Sequence, residues 1–501
     1  MEQIPAAKRL DSPYAIVIRA VRGPADLAVV IDHDLEGLSL SIWNGKTKEL
    51  RKSSFDQVTY ATTITPDGQY IIDLDDPTGS ELGHLHATPM AGGASRDLTP
   101  GHGSYTVRGI DCAIDGQTVL VTAGDETGFY AVLSNVENPN DARIIFRSDN
   151  EAWSGMLSAD CKLSALETTD HNPGIRRFAV TVVDNATGEV VTTLSDGALG
   201  PIRPIRFAQQ PGDSRLLAST EVSGFARPLV WDPISGERID IPLPSYLGDV
   251  VPLDWHSESG RLLLAHVDEG IHRLLEHDLD SGITTHLQHP QGAFFEPDTG
   301  SEFPIIWTSY YAHDGARRLV SSSWDVPLHI LESRNSEMPQ AVLPPSNVPH
   351  ATQFASHTVT SRDGANAQLW VGLPKGLEKP RGVILEVHGG PNLVSVDRYD
   401  ALAQSWIDDG WAYAALNYRG SVTFGREFRE SFWGRVGVGE IDDIDAAINW
   451  QKGTTGAEQK IILSTTTSFY SNVVPKVSGA TVSIKSGENL IYIFTEVPNT
   501  G

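Results

Sequence analysis

Three groups of residues in this 501-residue chain are of types and spacings that could do chemistry. His388-Gly389-Gly390-Pro391 sets an imidazole beside two glycines, where backbone can come close to a ligand. His84 and His86 are two residues apart, so on a strand they share a face and could begin a zinc site. No third ligand stands near them, and neither a metal nor a cofactor is expected. Cys112 and Cys161 could form a redox pair. They read more simply as buried thiols, and two cysteines in so long a chain exclude a disulfide scaffold.

The elements that would position these groups show first as a period. Short turns recur at Asp67-Gly68, Asp115-Gly116, Ser259-Gly260 and Asp314-Gly315, with weaker members at Asp160-Cys161 and Asp213-Ser214. Each precedes an apolar or alternating run, such as Arg261-Leu262-Leu263-Leu264. Asp-Gly suits a two-residue hairpin with both residues at positive φ. A second set of turns, at Asn44-Gly45, Thr187-Gly188, Ser235-Gly236 and Ser281-Gly282, runs in phase with the first. Two hairpins per repeat of about 45 to 50 residues mean four antiparallel strands per repeat, the pattern of a β-propeller blade. Outer hairpins fall near residues 45, 92, 138, 187, 235, 281 and 334, which predicts seven blades over 1–350. Cys112 and Cys161, 49 residues apart, are expected at equivalent places in neighbouring blades.

Near residue 350 the chain changes character. Pro344-Pro345 and Pro349 close the repeats, and two strands follow within 353–373, joined by Ser361-Arg362-Asp363-Gly364. Gly382-Val383-Ile384-Leu385-Glu386-Val387 is a nearly unbroken apolar run, as in a parallel strand covered on both faces. A helix is expected over 399–409, with Leu402, Ala403, Trp406 and Ile407 on its buried face and Gly410 as its left-handed cap. A strand over 411–416 and a second helix over 440–450, with Ile441, Ile444, Ala447 and Ile448 as its stripe, complete a strand–helix alternation.

His388-Gly389-Gly390-Pro391, Asn417-Tyr418-Arg419-Gly420-Ser421, Phe424-Gly425-Arg426-Glu427-Phe428, and then Gly439-Glu440, Asp442-Asp443 and Ala446-Ala447 before Trp450 occur in that order. Together they resemble the first half of the catalytic domain of the prolyl oligopeptidase family of serine peptidases, above all its acylaminoacyl-peptidases and dipeptidyl-peptidase-like members. The resemblance covers about 350–452. It implies a β-propeller followed by a partial α/β-hydrolase domain, at 351–456. It also implies hydrolysis of short peptides through a Ser-Asp-His triad, and oxyanion donors from His388, Gly389 and Gly390, with Gly390 the foremost backbone candidate. Val422-Thr423 departs from the pattern, where the family has a glycine ahead of its aromatic residue.

The triad itself cannot be placed. No serine has glycine at both −2 and +2, and where a nucleophile elbow belongs the chain reads Lys460-Ile461-Ile462-Leu463-Ser464. No histidine follows His388, so the base that should come last is absent. Residues 457–501 hold 12 Ser or Thr and six charges that cancel, unlike the acidic remainder. They are expected to be an unrelated tail, as a frame-shift or mis-splicing would produce, and the chain is expected to be inactive as written. The alternatives are a noncatalytic propeller binding module, or an esterase or other acyl hydrolase on the same scaffold. A net charge of -26 argues against nucleic-acid and anionic-lipid partners. No apolar run is long enough to span a membrane, and residues 1–10 lack a secretory core, so a cytoplasmic protein is expected. Short peptides are the expected partners of complete relatives; the oligomeric state is left open.

Overall fold

In a computed structural model the described residues are 6–55, 58–172, 175–296, 306–390, 392–452, 482–486 and 490–494. Seven four-stranded sheets follow one another along the chain, each a meander whose spatial order equals its chain order. Their strands lie within 14–52, 63–97, 106–148, 152–194, 202–240, 249–286 and 310–343, and are called blades one to seven here. The seven expected outer hairpins are the turns between third and fourth strands.

Packing explains why the middle strands are so apolar. A blade is sandwiched between two others, so both faces are buried and successive side chains go to opposite neighbours. Leu262 and Leu264 join the core shared with blade five, whereas Leu263 and Ala265 join the core shared with blade seven. An apolar cluster of this kind fills each of the seven interfaces between neighbouring blades. Among the described residues no strand is exchanged between the first and last blades. The ring closes through packing of Ala28, Val30 and Trp43 on Tyr310, Val320 and Ile330. The Ile18 N–H also donates to the Ile306 carbonyl at 3.2 Å, and Arg318 pairs with Asp26 at 2.9 Å.

Two expectations about the repeat need correction. The inner turns are not two-residue hairpins: Thr65 and Tyr70 pair around 66–69, with Gly68 at φ 74° and Asp67 outside the positive region. The Asp67 carboxylate accepts the Gln69 N–H at 3.0 Å, so aspartate acts here through its side chain. The two cysteines are not equivalent. Cys112 ends the strand Thr106–Cys112, whereas Cys161, at φ 58°, takes the place that Gly116 holds one blade earlier. Both are free thiols, and burial pushes the Cys161 thiol up to about 11. His84 lies 2.9 Å from Asp97 and His86 3.9 Å from Asp75, across neighbouring strands of blade two.

The second domain is one sheet in the order Ala355–Thr360, Asn366–Gly372, Ala412–Asn417, Val383–Val387, the last pair parallel and the others antiparallel. The helix Gly439–Lys452 covers one face, packing Ala447 against Val359, Leu369 and Leu416. The helix Ala401–Asp408 covers the other, with Ala403 and Ile407 against Trp370 and Tyr413. Asp400 caps it by accepting the Ala403 N–H at 2.8 Å, and Gly410 closes it at φ 89°. Leu402 and Ile441, expected on buried faces, are 55% and 53% exposed; Gln404 is the buried neighbour instead, bonded to the Trp324 and Thr352 carbonyls. The segment expected as propeller contributes one element to this domain. The helix Ala6–Leu10 sends a fully buried Arg9 to Asp408, at 2.7 Å, and to the carbonyls of Pro349 and His350. In the expected tail, Val482–Ser486 and Leu490–Phe494 form an antiparallel pair. Among the described residues no helix is long and apolar enough to cross a membrane.

Candidate active site

Because Val383–Val387 and Ala412–Asn417 run parallel, the loops beginning at His388 and Tyr418 emerge side by side at the carboxyl end of the sheet, where α/β folds place their ligands. The two loops are bonded together. The Tyr418 hydroxyl donates to the His388 carbonyl at 2.8 Å, and the two rings stack with centroids 4.6 Å apart. His388 Nε2 lies 2.8 Å from Ser421 Oγ, and Nδ1 lies 2.9 Å from the Gly389 carbonyl. Nδ1 thus serves the histidine's own loop and Nε2 the neighbouring one. Burial lowers the His388 pKa, partly offset by the Gly389 carbonyl, which keeps the ring neutral at physiological pH. The imidazole holds the carbonyl of the Gly389–Gly390 peptide, and both glycines are exposed. Gly390 has φ 113°, and a Cβ there would lie 2.7 Å from the Asn392 nitrogen, so a side chain is excluded twice over. Pro391 lies outside the described residues.

The other motif residues build the support. Asn417, fully buried, accepts the Ser395 N–H at 2.7 Å and donates to Gln368 and to the Ser395 carbonyl, tying down the chain that leaves the glycine loop. Arg419 pairs with Asp443 of the long helix at 2.9 Å, contacts Asp363, and donates to the Gly439 carbonyl at 2.9 Å. Burial alone would depress this guanidinium, but the two carboxylates outweigh it and raise its pKa. Gly420, at φ 111°, donates to the Phe428 carbonyl at 3.2 Å. Thr423 is held at φ 72°, a conformation suited to glycine. That gives the Val422-Thr423 departure a physical meaning: this chain puts a β-branched residue where the backbone bends left-handed.

What sequence reasoning missed is the seat of this site on the propeller. The Arg426 N–H donates to the Gly224 carbonyl at 2.7 Å, Arg429 pairs with Glu221 at 2.6 Å, and Arg177 pairs with Glu430 at 2.7 Å. Gly425 has to be glycine, since a Cβ would lie 2.5 Å from the Phe225 ring. These partners are about two hundred residues apart, and no local signal joins them. A cavity of about 500 Å³ runs along the inner strands of the blades and reaches the second domain. Its wall runs from Arg177, Arg203 and Glu221 on the blades to Asn392, Val422 and Thr423 beside the glycine loop. Among the described residues no group of His, Cys, Asp and Glu is set to hold a metal ion. The arrangement combines exposed glycine backbone, a neutral imidazole bonded to both loops and a neighbouring chamber.

Residues 398–462 match the sequence profile of the prolyl oligopeptidase family. That match covers the loop beginning at Tyr418 and the long helix, not the glycine loop, and ends inside the segment expected as tail. Dipeptidyl aminopeptidase BIII of Pseudoxanthomonas mexicana is 22% identical over 472 residues, covering 88% of this chain and 65% of that protein. This chain therefore spans just under two thirds of that relative's length. Acylamino-acid-releasing enzyme 2 of Oryza sativa subsp. japonica is 36% identical over 67 residues, 13% of this chain and 9% of that enzyme. Among solved structures, a puromycin hydrolase superposes with a TM-score of 0.69 at 16% identity, covering 90% of this chain and 74% of the other. An acylaminoacyl peptidase of Pyrococcus horikoshii superposes with a TM-score of 0.61 at 13% identity, covering 90% and 72%. At such identities the superpositions establish the fold, a propeller joined to part of a hydrolase domain. Motif order, family profile and fold agree in their likeness to the prolyl oligopeptidase family.

Proposed function

We propose that this chain carries the oxyanion half and the roof of a serine-peptidase site for short peptides. The observation that carries the reading is the exposed backbone of Gly389 and Gly390 on a loop from which Asn392 reaches the wall of a cavity of about 500 Å³. In acyl transfer a serine oxygen attacks the scissile carbonyl carbon, and the carbonyl oxygen becomes an oxyanion. N–H groups of the 388–390 loop are suited to meet that charge, and a donor of this kind is worth about 2.7 to 4 kcal/mol in the transition state. A triad of Ser, Asp and His would supply the nucleophile and move the proton. The 501 residues contain no Gly-x-Ser-x-Gly and no imidazole after His388, so we propose that they do not turn over peptide by themselves. The named relatives suggest two substrate classes, N-acylated peptides and peptides with a free amino terminus.

A fluorophosphonate probe tests the claim. The purified 501-residue protein is expected to stay unlabelled and to leave acyl-amino-acid and dipeptide anilides intact. Labelling at any serine, or turnover that survives removal of contaminating hydrolases, would refute it. The missing base also favours a second reading, a propeller that binds peptides without cutting them, and retention of intact peptide by the same protein would support that.

A further inference from the structure

Two polar side chains beside the glycine loop have nothing to bond to. Thr423 is 8% exposed, and its Oγ1 is buried without a hydrogen-bond partner. Asn392 is partly buried, and its Oδ1 is likewise out of contact with solvent and without a partner. Both residues line the cavity of about 500 Å³. Their chains are joined by a backbone bond, in which the Val422 N–H donates to the Leu393 carbonyl at 3.1 Å. Asn392 and Thr423 therefore flank a fixed contact, the one two residues after Gly390 and the other two residues after Ser421.

A buried donor or acceptor left unpaired destabilises a fold. Thr423 carries a second burden, because its φ of 72° suits glycine and not a β-branched residue. Glycine at 423 would remove both burdens, and with them the hydroxyl at the cavity wall. Strain and unmet bonding that the fold does not relieve are features of ligand sites. The charges at this end of the cavity are already paired. The described second-domain residues on its wall are Asn392, Val422, Thr423, Arg429 and Trp433. Arg429, the charged one, pairs with Glu221 at 2.6 Å, and Arg177, 4.6 Å over the Trp433 ring, pairs with Glu430 at 2.7 Å. What stays open is a side-chain carbonyl oxygen and a hydroxyl, an acceptor and a donor. A peptide unit offers their complement, an N–H and a C=O.

We infer that Asn392 and Thr423 form a main-chain subsite for a peptide seated in the cavity: the Asn392 carbonyl oxygen accepts a peptide N–H, and the Thr423 hydroxyl donates to a peptide C=O. The inference rests on the peptide-cleft reading above and adds the residues that hold the peptide's backbone. Recognition is of amide groups, so it does not depend on the peptide's side chains or on charged ends.

The test is calorimetric titration of the whole 501-residue protein with N-acetyl tetra-alanine amide. Its analogues replace one alanine at a time by lactic acid, so that an ester oxygen stands in place of one N–H. One ester position is expected to bind about fivefold more weakly than the parent peptide. Asn392→Leu is expected to abolish that difference, because the acceptor that reads the N–H is gone. Thr423→Val removes the hydroxyl at nearly constant shape and is expected to bind the parent about fivefold more weakly. Thr423→Ser keeps the hydroxyl and is expected to stay within about twofold of the unaltered protein. Without peptide, the Tm of Thr423→Val is expected to hold level or rise, since no bond is lost; a merely structural hydroxyl would lower it. Equal affinity across the ester series overturns this inference and leaves the peptide-cleft reading intact. So does a difference that survives in Asn392→Leu, or unchanged affinity in Thr423→Val. Failure of the parent peptide to bind overturns both readings. The ester series is read on the unaltered protein, so it decides the matter even if a variant fails to fold.

Discussion

Asp73 of blade two is a carboxylate with one satisfied oxygen and one orphan. Oδ1 accepts the hydroxyls of Thr59 and Thr62, the latter at 2.8 Å, while Oδ2 is buried without a partner. Burial pushes its pKa up from 3.8 to about 7, against the threonine bonds that favour the charge. Between those two values the folded chain holds a proton that the unfolded chain has lost, so stability falls as pH rises through that window. Asp73→Asn keeps an acceptor for both threonines and removes the titration. It is expected to flatten the decline of Tm between pH 5 and 8, and an undiminished slope would show that Asp73 is not its source. Arg419 presents the opposite case, a buried charge that is fully paired. Arg419→Ala leaves Asp443, which is fully buried, without its counter-ion. The expected loss is about 3 to 5 kcal/mol in urea unfolding of the second domain. A loss below about 1 kcal/mol would mean that water reaches Asp443 and that the motif arginine is not its anchor.

At the scale of elements, the propeller's weak point is its closure. A ring of independent meanders has six interfaces between consecutive blades and one between its ends, and that last one has to hold without a shared strand. Arg318, nearly unexposed on blade seven, reaches Asp26 of blade one and Glu332 of its own blade, and Lys48 of blade one meets Glu332 at 2.7 Å. Arg318→Ala strands Asp26 in the seam. It is expected to cost about 3 to 5 kcal/mol of propeller stability, with hydrogen exchange rising first in 14–44 and 317–333. Exchange that rises evenly around all seven blades would place the seam's strength in the apolar cluster instead. The glycine loop is governed by elements in the same way. Its conformation follows from two parallel strands ending level, and from Tyr418 and His388 bonding across the gap.

For the whole molecule, the contrast lies between a closed ring and a sheet with an open side. Among the described residues Val383–Val387 pairs on one side only, and Val387, Leu402, Val436, Val438 and Ile441 are exposed. Exposed apolar surface beside an unpaired edge invites association and local opening. Limited trypsin digestion is therefore expected to degrade the region after residue 351 while a propeller-sized fragment survives. Survival of both parts at equal rates would mean that the docking salt bridges, Arg429 with Glu221 and Arg177 with Glu430, protect the second domain.

Much of this was legible in the amino-acid order, for a physical reason: blades and motifs are local. A blade is made from consecutive residues, so turn chemistry and the alternation of apolar side chains display it directly, and all seven outer hairpins could be counted. The glycine loop and its supporting motif were visible because backbone conformation at Gly390 and Gly420 demands one residue type. Sequence also shows that no imidazole follows His388. Tertiary structure decided whatever depends on partners far apart along the chain. It turned Leu402 and Ile441 outward, put Cys161 in a turn, and buried Arg9 in the second domain. It also set Glu221 against Arg429. Those outcomes turn on how much surface each neighbour covers, and that is fixed only when the ring closes and the second domain docks upon it.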